Sequence, residues 1–125
     1  MEKTEKYLKT VVEALSEKKG DDTVVLDLRG LTQIADYFVI CTGSSVPHIR
    51  ALSDGVESKL KESKIKPLHI EGQRNNSWII LDYGDILVHI FNPETREYYE
   101  LERFWLDARR ITFDNAQGTV SAALN

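Results

Sequence analysis

The stretch "WIILDYGDILVHIF", residues 78–91, decides how the chain folds. Two apolar runs, near 78–82 and 86–91, flank a Tyr83–Gly84 pair, and Asp beside Gly is turn chemistry. The pattern predicts an antiparallel hairpin. A hairpin excludes a purely parallel sheet, so the sheet is expected to be mixed.

Working outward, "KPLHIEG" (66–72) reads as a preceding strand and "QRNNS" as the loop into the hairpin. Upstream, "TVVLDL" (23–28) is a β-branched strand and "DYFVICT" (36–42) an apolar run short enough to be a buried one. "RGLTQIA" joins them with room for one helical turn. The opening segment puts Tyr7, Leu8, Val11, Val12 and Leu15 on one helical stripe and stops at "KKGDD". A second helix carries Ile49, Leu52, Val56 and Leu60, with Pro47 in its first turn and Ser44 or Ser45 as cap.

After Phe91, Asn92 is placed as a cap, Pro93 at the first helical position, and Glu94 and Glu97 where a helix N-terminus favours acids. Tyr98, Leu101 and Trp105 are expected to form that helix's apolar face. "DARRITFDNAQGTVSAALN" then loses its period, which predicts a flexible tail over 108–125 behind a single domain over 1–107. The order α-β-β-α-β-β-β-α predicts an α/β fold, a mixed β-sheet with helices packed on it.

The chain has 125 residues, 42% hydrophobic, which suits one core. "MEKTEKYLKTVVEALSEKK" mixes charges at helical spacing, unlike a signal or transit peptide, so a cytoplasmic location is expected. Cys41, the lone cysteine, lies within "YFVIC" and reads as a small buried apolar residue. The net charge of −4 argues against broad nucleic-acid contact. Arg50, Lys59, Lys61, Lys64 and Lys66 alternate with acids, the pattern of a solvated helix face. From Trp78 to Asp107, seven acids stand against only Arg96 and Arg103, a balance that suits a basic protein partner.

Three constellations invite a catalytic reading. "CTGSSVPH" leads from a strand into a helix, as in nucleotidyltransferases, yet the next strand has only Glu71 where an Asp-x-Asp pair would hold metals, and no lysine makes it a phosphate loop. Asp82 and Asp85 flank the turn, but only His69 and His89 stand on neighbouring strands to complete a metal set. His48, His69 and His89 lack zinc spacing, and His89 in "LVHIF" reads as a hydrogen-bonded core residue. No catalytic residue, cofactor or metal is assigned. Trp78, Tyr83, Tyr98, Tyr99 and Trp105 remain, interleaved with acids; some are core and some suit an interface.

Together "IADYFVICTGSS", "WIILDYGDILVHIF" and "ETREYYELERFW" resemble the ribosomal silencing factor family, also called the Iojap family, over about residues 5–107. The resemblance implies a nucleotidyltransferase-like fold without the catalytic carboxylates or transferase activity. It also implies binding to the large ribosomal subunit through ribosomal protein L-fourteen, blocked joining of the small subunit, and repressed translation when nutrients are scarce. The partner surface carried over by resemblance comprises Trp78, Asp82, Tyr83, Gly84, Asp85, Tyr99 and Glu100. Homodimers are a further implied state. The rival class is a phosphate-handling enzyme using Ser44 and Ser45.

Overall fold

The computed structural model describes residues 2–114 and 119–123. The chain begins with α1 (Glu2–Glu17), β1 (Asp21–Asp27), β2 (Tyr37–Thr42) and α2 (Val46–Glu62). β3 (His69–Glu71), β4 (Trp78–Asp82), β5 (Ile86–Phe91) and α3 (Pro93–Tyr99) follow. A 3₁₀ helix (Leu101–Trp105) leads to β6 (Arg109–Asp114) and β7 (Thr119–Ala123). The expected hairpin is present at its predicted limits, with Trp78 opposite Phe91 and Asp82 opposite Leu87.

Among the described residues the strands form one sheet in the order β3-β4-β5-β2-β1-β6-β7. β2 and β5 run parallel, while the other neighbouring pairs are antiparallel, so the sheet is mixed. β2 is central, and all six of its residues are buried.

Strand side chains alternate between faces, so the sheet carries two cores. On one face, Leu8, Val11 and Leu15 of α1 and Ile49, Leu52, Val56 and Leu60 of α2 pack on Val25, Val39, Cys41, Ile79, Leu81, Val88 and Ile90. Cys41 is fully buried there, and burial pushes its thiol pKa up. The other face gathers Leu26, Leu28, Ala35, Phe38, Ile40, Phe91 and Ala108, with Leu101 and Trp105 of the 3₁₀ helix laid against them.

Two expectations need correction. The helix after Phe91 does not run on to Trp105: Glu100 takes a left-handed conformation (φ 46°, ψ 52°) that ends α3. The chain then turns back over the sheet, so Leu101 and Trp105 reach the core while Tyr98 is 80% exposed. The second correction concerns the segment assigned to the tail. Arg109–Asp114 pairs with β1, and Thr119–Ala123 pairs with β6. The period is lost there because β6 inherits its burial from β1: Ile111, opposite Val25, is only 9% exposed and joins the helix-side core. The tail reading over 115–118 and 124–125 lies outside the described residues.

β1 and β3 also differ in their limits from the sequence reading. β3 shortens to three residues, although the Leu68 amide still donates to the Asp82 carbonyl at 2.7 Å.

Candidate functional site

The hairpin is closed by a two-residue loop, Gly84–Asp85, with Gly84 at φ 86°. The first position of such a loop favours a residue that tolerates positive φ, which is why glycine stands there. The Asp82 carboxylate accepts from the Gly84 amide at 2.8 Å, and the Tyr83 amide donates to the Ile86 carbonyl at 2.9 Å. The Asp85 carbonyl accepts from the Asp36 and Tyr37 amides, tying the turn to the start of β2.

Alternation along β4 points Trp78, Ile80 and Asp82 to the second face, while Ile79 and Leu81 enter the helix-side core. Trp78 lies on Phe91 with ring centroids 4.7 Å apart and planes 29° from parallel. Tyr99 closes on it from α3 at 5.0 Å, and Tyr98 meets Tyr99 edge-on at 5.0 Å. Beneath, the Trp78 indole Nε1–H donates to His89 Nδ1 at 3.1 Å. Phe38 packs 4.6 Å from His89 and 6.1 Å from Trp105, so the rings run continuously from the 3₁₀ helix to α3. Half-buried Ile80 and Leu87 extend this surface, and exposed Phe104 and Leu106 follow along the chain.

α3 is held over the sheet by Arg96. Its guanidinium donates to the Asp22 carbonyl and Thr42 Oγ1, both at 2.8 Å, and pairs with Glu102 at 2.9 Å. The side chain is only 13% exposed, and one end of α3 is thereby locked to β1 and β2. Asn92 caps the other end, its side chain accepting from the Thr95 amide at 2.7 Å. The approach to Trp78 is equally constrained. Gly72 has φ 88°, and a Cβ there would stand 1.9 Å from the Trp78 carbonyl oxygen, so glycine is required.

The structure brings Trp78, Asp82 and Tyr99 to one side of the hairpin and separates Tyr83 from them. Tyr83 packs against the helix-side core. Burial and the nearby Glu57 charge raise its hydroxyl pKa, and its oxygen has no hydrogen-bond partner among the described residues. Asp85 is exposed and lines the same cleft as Tyr83, Tyr7 and Ile86, of about 270 Å³. Glu100 forms an ion pair with Arg103 at 3.0 Å, and Asp82 stands 4.0 Å from His69 Nε2. The acidic face is therefore less bare than the charge count suggested. Ile80, Leu87, Phe104 and His89 are the neighbours that the list of aromatics and acids missed. For Ile80 the signal was available, since it stands two residues from Trp78 on a strand.

The Gly-Ser turn has other business. Ser45 caps α2 by accepting from the His48 amide at 3.2 Å, and the Ser44 amide donates to His48 Nδ1 at 2.9 Å. His48 Nε2 in turn reaches the Lys18 carbonyl at 2.9 Å, so its ring braces the α2 start against the end of α1. The Gly43, Ser44, His48 and Ile49 amides at this turn are thus engaged within the chain. Among the described residues, no three His, Cys, Asp or Glu side chains gather as a metal set.

A single mixed sheet, helices closing one side and half-covered aromatics on the other, defines a small α/β protein with a surface suited to contact. Residues 1–124 match the family described as "Ribosomal silencing factor during starvation", RsfS. The chain belongs to that family. It is 36% identical to ribosomal silencing factor RsfS of Bacillus subtilis over 107 residues, covering 86% of this chain and 91% of that one. Mitochondrial assembly of ribosomal large subunit protein 1 of Mus musculus is 33% identical over 98 residues, 76% of this chain and 43% of the mouse protein. A crystal structure of a Chromobacterium violaceum protein superposes with a TM-score of 0.79 at 35% identity, covering 81% of this chain and 84% of that one.

Proposed function

We propose that this chain is a cytoplasmic ribosomal silencing factor that docks on the large ribosomal subunit through ribosomal protein L-fourteen. By occupying the face the small subunit must meet, it blocks joining and represses translation under nutrient limitation. The action is steric, with no catalytic step and no cofactor. Family membership supports the role, and the large ribosomal subunit is named in the mouse relative.

The observation that carries the reading is the half-covered aromatic surface built on Trp78 and Tyr99. Aromatic rings at a water-accessible rim, flanked by Asp82, suit contact with a basic protein, where rings supply area and acids supply steering. Glu100 and the Gly84–Asp85 turn border that surface in this proposal, with Tyr83 supporting the hairpin from the opposite side. A homodimer formed through the same rings would compete with the subunit.

Sedimentation of the tagged chain with separated subunits tests the proposal. It is expected to travel with the large subunit and to lower the yield of joined ribosomes. Co-sedimentation with the small subunit alone, or no effect on joining, would overturn it.

A further inference from the structure

We infer that His89 is a positioning residue for the partner surface: by accepting the Trp78 indole N–H from below, it fixes the ring so that only carbon and π surface faces outward. The inference rests on the silencing reading and specifies the chemistry of the contact. His89 Nδ1 stands 3.1 Å from Trp78 Nε1, and His89 itself is 4% exposed, wedged 4.6 Å from Phe38. Burial lowers its pKa to about 4, so at neutral pH the ring is uncharged. A neutral imidazole that accepts at Nδ1 carries its proton on Nε2. That Nε2 is buried without a partner among the described residues, so the ring has nothing else to orient it except Trp78 and the aromatic packing.

The consequence is chemical. A Trp at an interface usually offers its N–H as a handle. Here that donor is consumed inward, so the partner group over Trp78 need not be a hydrogen-bond acceptor. An aliphatic or cationic side chain fits, the latter by attraction to the ring face. A basic ribosomal protein supplies such side chains.

The test uses two classes of substitution on the full chain. In His89→Asn, Oδ1 stands where Nδ1 stood and keeps an acceptor; His89→Leu fills the space without one, and His89→Phe is a second acceptor-free variant should leucine fail to fold. Indole N–H resonances, assigned with Trp105→Phe, report the bond, and sedimentation with isolated large subunits reports binding. The Trp78 indole proton is expected to move upfield in the acceptor-free variants and to stay near the parent position in His89→Asn. Binding should fall about tenfold in the former and recover most of that in the latter. Equal losses in both classes would show that His89 acts by volume and overturn the inference. A moved indole resonance with unchanged binding overturns it too. Trp78→Ala in the same assay separates the failures: if it also binds like the parent, the surface assignment falls, whereas if it alone loses binding, only the positioning role does.

Discussion

The sheet's two faces use the same alternating strands but are finished with different chemistry. Under α1 and α2, aliphatic side chains such as Leu81, Val88 and Leu52 are fully buried, and two amphipathic helices leave little of that face exposed. On the other face, rings join the aliphatic layer of Leu26, Leu28 and Ile40, His89 and Trp78 share a hydrogen bond, and cover comes from a seven-residue helix and one 3₁₀ turn. Complete aliphatic closure stabilises and offers a partner nothing. Partial aromatic closure leaves area at the rim, with polar contacts beneath that fix the rings.

If that contrast is right, the largest stability losses lie on the closed face. Leu81→Ala should cost about 2–5 kcal/mol, read as a shift of the denaturant midpoint at constant slope, because the helices above cannot collapse into the cavity. Ile80→Ala, one residue away on the half-buried side, should cost less than half as much. Comparable losses would erase the distinction between the faces.

His89 sharpens the comparison through pH. Its folded pKa of about 4 lies below the ordinary value of 6.5, so between these two the unfolded chain binds a proton that the folded chain does not. Stability attributable to this residue is therefore full above pH 6.5 and declines as pH falls toward 4, by up to about 3 kcal/mol. His89→Leu should lack that component, so the gap between variant and parent changes across the window. A gap that stays constant with pH would contradict the buried neutral ring.

Smaller effects test the edges. Ending the chain after Arg110 removes Ile111 from the helix-side core and unpairs the rest of β6, so the melting midpoint should fall by more than about 5 °C, or about 1 kcal/mol in a domain of this size. An unchanged midpoint would show β6 to be dispensable. Asp82→Asn with Asp85→Asn should cost under about 1 kcal/mol of subunit affinity, visible chiefly at low ionic strength. Asparagine still accepts from the Gly84 amide, so the turn survives.

Much of the closed face was legible in the sequence, because helical stripes and strand alternation are local patterns that tertiary packing reinforces. The hairpin limits, the Asn92 cap, a serine cap on α2 narrowed to Ser44 or Ser45, and the burial of Cys41 follow from such signals. The open face was less so. The break at Glu100 carries no glycine to mark it, and the reversal is held by Arg96, whose partners Asp22 and Thr42 are far away in sequence. β6 was hidden because its register is dictated by β1. The resemblance placed Tyr83 with Trp78 in the partner surface, but residues 78 and 83 differ by an odd number along the hairpin arm, and Tyr83 packs against the helix-side core.

The central claim is that the open aromatic face, and not the helix-covered one, meets the large subunit. Its most direct test is the affinity of folded Trp78→Ala for isolated large subunits, with Tyr83→Phe as the opposite-face comparison. Trp78→Ala should lose about 2 kcal/mol, roughly thirtyfold, at both low and high salt, with Tyr83→Phe binding like the parent. Parent-like binding by folded Trp78→Ala, or an equal loss in Tyr83→Phe, would contradict it.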